Sequence, residues 1–202
     1  MSSKQLEKLI ERLDILIVDE NQYMRKLTRM MLMNIGAKSI FEATDGVTAL
    51  DIIRNIDPDV MLMDWDLRLL TGPQIMNIVR SAGEFARPSL PIIMLTSCAS
   101  RARVSEAIRL GVHEVVAKPT SPKILHDRLL SILVNPRPMV QVGKYYVPEP
   151  RRLAAKDDAT ATAAADTPSD QPVAGAVPSQ EDIQPAWTPL PRRSRRLMES
   201  FS

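Results

Sequence analysis

Four short apolar runs in the first 120 residues, each closed by a polar residue of distinct chemistry, constrain this chain most. Ile15-Leu16-Ile17-Val18 runs into Asp19-Glu20, Val60-Met61-Leu62-Met63 into Asp64, Pro91-Ile92-Ile93-Met94-Leu95 into Thr96, and Val115-Val116-Ala117 into Lys118-Pro119. Continuous apolar runs of this length, without polar alternation, suit strands covered on both faces, as in a parallel sheet. Residues 39–43 read as a further short strand. Stretches of helical period fill the intervals, so the alternation is βαβα and a doubly wound sheet is the economical fold. In such sheets ligands bind outside the carboxyl ends of the strands, where the strand order reverses. Three acids, a hydroxyl and an ammonium are therefore expected in one crevice.

Local signals delimit the helices. Leu6, Leu9, Ile10 and Leu13 suggest a lead-in helix over residues 1–12. Met24, Leu27, Met31, Leu32 and Ile35 share a period that ends at Gly36, a suitable C-cap. Asp45 can cap a helix through Val47, Leu50, Ile53 and Ile56, which must stop before Asp57-Pro58. Thr71-Gly72-Pro73 opens the next, with Pro at an early position where its missing N–H costs nothing. Ser100 starts a helix ending at Gly111, and Ser121-Pro122 starts the last, which carries Leu125 and Leu129. The count is five strands and five helices plus the lead-in.

Composition changes near Asn135, because ten of the sixteen prolines fall between Pro136 and Pro191. Roughly 134 residues are left for the fold, enough for one well-buried core. The expected organisation is a lead-in helix at 1–12, the α/β domain at 13–134, a Pro/Tyr/Arg extension at 135–153 and a disordered Ala/Pro-rich tail with a basic end at 154–202. Residues 1–134 carry 17 Lys and Arg against 16 Asp and Glu, a balance that argues against a folded surface built to hold nucleic acid. Cys98 is the sole cysteine, so no internal disulfide forms. No cleavable signal or transmembrane segment is visible, and a cytoplasmic location is expected.

The residues themselves indicate phosphoryl transfer. Asp64, alone at the end of a central strand, is a suitable carboxylate nucleophile. Asp19, Glu20 and Asp64 crowded together repel unless a cation joins them, and an all-oxygen site suits Mg²⁺. Thr96 can donate a hydroxyl hydrogen bond to one phosphoryl oxygen, and Lys118 can offer an ammonium to another. His113 and His126 read as helix-end or surface residues, since neither has a second ligand at metal spacing.

The order and separation of Ile-Leu-Ile-Val-Asp-Glu-Asn, Met-Leu-Met-Asp-Trp-Asp-Leu, Ile-Met-Leu-Thr-Ser and Val-Ala-Lys-Pro resemble a bacterial response-regulator receiver domain, the CheY-like module. The resemblance covers about residues 13–134. It implies a flavodoxin-like (βα)5 sheet of order 2-1-3-4-5, with Asp64 as phospho-acceptor, Asp19 and Glu20 as the metal pair and the Asp66 carbonyl completing the Mg²⁺ site. It further implies Thr96 as switch hydroxyl, Lys118 as phosphate clamp in a cis Lys118-Pro119 peptide, and Asp66 and Cys98 as the positions that tune phosphoryl lifetime. Its partners would be a histidine kinase or phosphotransfer protein and a target protein, with a dimer on phosphorylation left open. Such a domain is no enzyme toward external substrates and takes part only in its own phosphorylation and dephosphorylation.

Several positions depart from the family pattern. Glu20 stands where Asp is commoner, Leu67-Arg68 replaces Met-Pro, Thr120 replaces Phe, and Val115 occupies the switch position where an aromatic residue often reports phosphorylation. After residue 134 no helix-turn-helix can be built, so DNA binding is not expected. Residues 137–152 are similar to a segment that follows some bacterial stand-alone receivers, either packed back on the domain or docked on a partner. The Arg192-Arg193-Ser194-Arg195-Arg196 run is a solvated basic end or a contact for an acidic protein, anionic lipid or nucleic acid. The leading expectation is a phosphorylation-dependent switch that signals through the face made by the last two helices and last strand. A phosphate sink or relay intermediate, and a non-phosphorylated scaffold acting through the tail, are the alternatives.

Overall fold

Parallel pairing follows directly from the apolar runs. β1 (Asp14–Val18), β2 (Ser39–Ala43), β3 (Val60–Asp64), β4 (Ile92–Thr96) and β5 (Glu114–Ala117) form one sheet of order β2-β1-β3-β4-β5, every pair parallel. The expected strand order is therefore the observed one. This is a computed structural model, and it describes residues 8–83, 85 and 87–150. The chain divides into two compact units, Met1–Glu149 and Pro150–Ser202, and the description concerns the first.

Side-chain alternation splits the sheet between two apolar layers. Leu16, Val18, Met61, Met63, Ile92 and Met94 enter one with Leu50, Ile75 and Val79, whereas Ile15, Ile17, Leu62, Ile93 and Val116 enter the other with Leu32, Leu125 and Leu129. Strands buried on both sides have no polar face to display, which is why their sequences run unbroken. The helices are α1 (Gln22–Asn34), α2 (Gly46–Ile56), α3 (Gly72–Val79), α4 (Arg101–Arg109) and α5 (Pro122–Val134). Three starts follow the sequence signals, Asp45 accepting from the Thr48 N–H, Ser100 from Arg103 and Ser121 from Ile124, and Asn21, which no signal singled out, accepts from the Tyr23 and Met24 N–H groups. Gly36 and Gly111, with φ of 98° and 91°, end α1 and α4 in the left-handed region. Of the lead-in helix, residues 8–11 are helical, and Ile10 and Leu13 are buried on the α1/α5 side.

The extension adds what the sequence left open. β6 (Met139–Val142) and β7 (Tyr145–Pro148) form an antiparallel hairpin turned at Gly143 and Lys144, with Gly143 at φ 62°. It belongs to the same compact unit as the sheet. Its edge lies against the end of α3, where Tyr146 N–H donates to the Arg80 carbonyl at 2.9 Å and Ala82 N–H to the Lys144 carbonyl at 2.8 Å. Arg137, on the way to the hairpin, donates to the His113 carbonyl. The packed-back alternative for this segment is the one observed, whereas the expected disordered tail and its basic end lie outside the described residues.

Candidate functional site

The β1–α1 turn sets the acidic end of the crevice. Asp19 is buried, its Oδ1 accepting the Asn21 N–H at 2.9 Å, which aims Oδ2 across the sheet. Arg25, one turn into α1, donates to the carbonyls of Asp19 at 2.8 Å and Glu20 at 3.2 Å, tying the turn to the helix. Asp64 ends β3 one strand away, with its Oδ1 3.5 Å from the Asp66 N–H. Lys118 follows β5, and its N–H donates to the Thr96 carbonyl at 2.8 Å, so the end of β4 fixes where the lysine departs. Its Nζ reaches Asp19 Oδ2 at 2.7 Å and Asp64 Oδ2 at 2.9 Å. The Lys118-Pro119 peptide is cis. Asp19, Asp64 and Lys118, separated by as many as 99 residues, thus form one triangle.

The other candidates surround it in ion pairs of their own. Glu20 is drawn outward to Arg68, whose Nε lies 3.1 Å from Oε2. Asp66 accepts from Arg103 Nη1 at 2.7 Å, and the same nitrogen is 3.4 Å from Thr96 Oγ1. Thr96 is buried, and its hydroxyl exchanges hydrogen bonds with Cys98, donating to the carbonyl and accepting from the N–H, both at 3.2 Å. The Cys98 residue itself is exposed. Val115 is half-buried against the α2/α3/α4 core layer, filling the switch position with an aliphatic side chain. The loop after Asp64 packs so closely that a Cβ on Gly72 would come within 2.8 Å of the Trp65 ring. Gln74 completes this start of α3 by accepting from both the Thr71 N–H and its hydroxyl.

Burial sets the electrostatics. It pushes the Asp64 carboxyl above the usual range, with the Lys118 hydrogen bond opposing and the Asp19 charge adding to the rise. Burial works against the Lys118 ammonium as well, yet the hydrogen bonds it donates to two carboxylates outweigh it and hold its pKa above the ordinary value. The two directions are reconciled by the sharing of one cation: Lys118 is nearer Asp19, which leaves Asp64 under-compensated. A second positive charge is the evident remedy.

Among the described residues, no three Asp, Glu, His or Cys side chains are gathered closely enough to hold a metal as they stand. The reason is visible in the ion pairs: the Asp19 and Asp64 carboxylates already converge on a cation, and only Glu20 is turned aside, onto an exposed arginine. Oxygen donors alone, two of them converging, fit a hard divalent ion such as Mg²⁺.

Three basic residues at the site, Arg25, Arg68 and Arg103, were not among the expected site residues. Arg68 was visible only as a departure from Met-Pro, and nothing in the spacing of Arg103 marks it as reaching β3. His113 also differs from expectation. It is buried at the opposite end of the sheet, 3.5 Å from the Arg80 guanidinium and accepting from the Ile92 N–H at 3.3 Å, because the chain turns inward directly after Gly111.

Known proteins resemble the domain that carries this crevice. A family model described as the response regulator receiver domain matches residues 15–130. A chemotaxis protein CheY homolog of Campylobacter jejuni is 31% identical over 120 residues, 59% of this chain and 91% of that protein. The chemotaxis protein CheY of Pseudomonas aeruginosa is 32% identical over 118 residues, covering 58% of this chain and 94% of the relative. Among solved structures, a response regulator of Chloroflexus aurantiacus superposes with a TM-score of 0.57 at 27% identity, over 61% of this chain and 98% of that one.

Proposed function

Because the chain belongs to the response regulator receiver family, we propose that it accepts a phosphoryl group on Asp64 from a histidine kinase or phosphotransfer protein and passes the signal on by protein contact. The observation that carries this reading is the Asp19–Lys118–Asp64 triangle at the carboxyl ends of β1, β3 and β5. In the transfer, an Asp64 carboxylate oxygen attacks phosphorus, the P–N bond of the donor phosphohistidine breaks, and the electron pair leaves with the imidazole. Lys118, already between the two acids and charged, is placed to meet a phosphoryl oxygen. Thr96 offers its hydroxyl to another once it leaves Cys98. Mg²⁺ held by Asp19, Glu20, Asp64 and the Asp66 carbonyl would neutralise the transferring oxygens, a service that the charge-crowded crevice otherwise lacks.

Support for output by protein contact comes from the described residues beyond α5, which form a hairpin and no helical DNA-binding domain. The α4–β5–α5 face exposes Ile108 and Ile124, apolar residues suited to a partner. Family members act in signalling, and turnover here is confined to the domain's own aspartyl phosphate. No helix among the described residues is long and apolar enough to cross a membrane. We place the protein in the cytoplasm, where a kinase would present its phosphohistidine.

Intact-protein mass after incubation with acetyl phosphate tests the reading. One Mg²⁺-dependent phosphoryl adduct is expected on the wild type and none on Asp64→Ala. A folded wild type that takes up no phosphoryl group, even from a competent cognate kinase, would leave only a scaffold role.

A further inference from the structure

A signal generated on Asp64 must reach a surface, and the aromatic side chain that often carries it is replaced by Val115. The structure offers another route. Arg103 stands in the first turn of α4, where its own N–H donates to the Ser100 cap at 3.3 Å. Its side chain is largely covered, 27% exposed, although an arginine at a helix start usually extends into water. What covers it is the acceptor site. One nitrogen, Nη1, is 2.7 Å from Asp66 Oδ2 and 3.4 Å from Thr96 Oγ1. Asp66 is in turn joined to the acceptor, its N–H lying 3.5 Å from Asp64 Oδ1. A single guanidinium therefore touches both the loop after the acceptor and the hydroxyl at the end of β4, while its backbone is part of α4.

We propose that Arg103 is the positioning residue through which occupancy of Asp64 is transmitted to α4. This rests on Asp64 being the phospho-acceptor. With Asp64 free, Arg103 is held by Asp66 and lies against the Thr96 hydroxyl, which is turned to Cys98. A phosphoryl group on Asp64 brings two negative charges and three acceptor oxygens to a point that Thr96 and Asp66 both border. The Thr96 hydroxyl turns to it and gives up the Cys98 carbonyl. The guanidinium fork, with donors to spare and a stronger anion at hand, leaves the half-exposed Asp66 carboxylate for the phosphoryl oxygens. Because Arg103 is fixed in the first turn of a nine-residue helix, its shift moves the start of α4 and with it the face carrying Ile108. The device is a competition between two anions for one arginine, and it requires no aromatic rotamer.

The test compares backbone amide resonances of residues 100–108 in the full chain, with and without beryllium fluoride and Mg²⁺ as a stable stand-in for the phosphoryl group, in wild type, Arg103→Ala, Arg103→Lys and Asp66→Asn. Phosphoryl uptake from acetyl phosphate is measured by mass on each. Large α4 shifts are expected in the wild type. Arg103→Ala should still be phosphorylated and bind the mimic while the α4 shifts are lost, and Arg103→Lys, which keeps the charge without the fork, should recover part of them. Asp66→Asn, which weakens the resting partner, should displace the α4 resonances toward their activated positions before any mimic is added. α4 shifts of wild-type size in Arg103→Ala, or unmoved resting resonances in Asp66→Asn, would overturn the proposal. Failure of the wild type itself to take up a phosphoryl group would instead remove Asp64 as acceptor, and the inference with it.

Discussion

The Lys118 ammonium lies 2.7 Å from the Asp19 carboxylate, closer than to the Asp64 carboxylate at 2.9 Å. A Mg²⁺ ion held as proposed would draw on the same carboxylates as the lysine. Removing the ammonium in Lys118→Ala leaves the buried Asp19 facing the partly buried Asp64, which should strengthen Mg²⁺ binding measured by calorimetry. The same change should slow phosphoryl uptake by about 100-fold, the usual loss when a preorganised donor to a transferring oxyanion is deleted. Equal or weaker Mg²⁺ binding in the variant would show that the lysine does not oppose the metal.

Arg68 is the corresponding opponent at Glu20. The pair is exposed on the arginine side, so its contribution is modest, roughly 0.2–1 kcal/mol. Arg68→Ala should free Glu20 and tighten Mg²⁺ binding by about 1.4- to 5-fold, an effect that high salt should erase.

At the other end of the sheet, burial holds His113 well below its ordinary pKa, with the charges of Arg80 and Arg137 adding to the depression. The unfolded chain binds the proton near 6.5 and the folded one only at lower pH. Between those values the unfolded state carries the extra proton, so stability is complete above about pH 6.5 and declines as pH falls through the window. The slope reaches at most about 1.4 kcal/mol per pH unit. Urea midpoints from pH 7.5 down to 5 should fall faster for wild type than for His113→Gln, whereas parallel curves would contradict this assignment.

Arg80 is fully buried and has no carboxylate partner among its described hydrogen bonds. It donates twice to the Gly111 carbonyl, at 3.1 and 2.9 Å, and to the carbonyls of Pro88 and Leu90 at 2.7 and 2.8 Å. Its own carbonyl receives the hairpin. Arg80→Met keeps bulk but orphans these acceptors, at a cost of roughly 3 kcal/mol or more. The melting temperature should fall by about 6–12 °C. Because Arg80 sits away from the crevice, phosphoryl uptake by the folded fraction should be unchanged.

The elements with their own local signals were legible before the structure. Residues 39–43 are the second strand to the residue, and Asp45, Ser100 and Ser121 cap the helices that they announce, because a cap is chosen by its neighbours within three residues. The crevice was legible for a related reason: in a parallel sheet the residue that ends a strand must arrive at the carboxyl edge. What the sequence concealed depends on long side chains crossing between elements. Arg103 reaching Asp66, Arg68 reaching Glu20, and Arg80 spanning from α3 to Gly111 share no period or motif. Their targets are fixed only once the helices are packed. The hairpin was hidden differently, since two four-residue strands among prolines carry too little pattern to distinguish docking inward from docking on a partner.

In the crevice, the carboxylates of Asp19, Glu20, Asp64 and Asp66 are interleaved with Lys118, Arg68 and Arg103. Three cations against four carboxylates leave one negative charge uncompensated, and its field fades over a Debye length of about 8 Å. A small dianionic donor arriving from solution therefore meets weak repulsion, which added salt should screen, whereas a bound Mg²⁺ would reverse the sign and make encounter fall with salt.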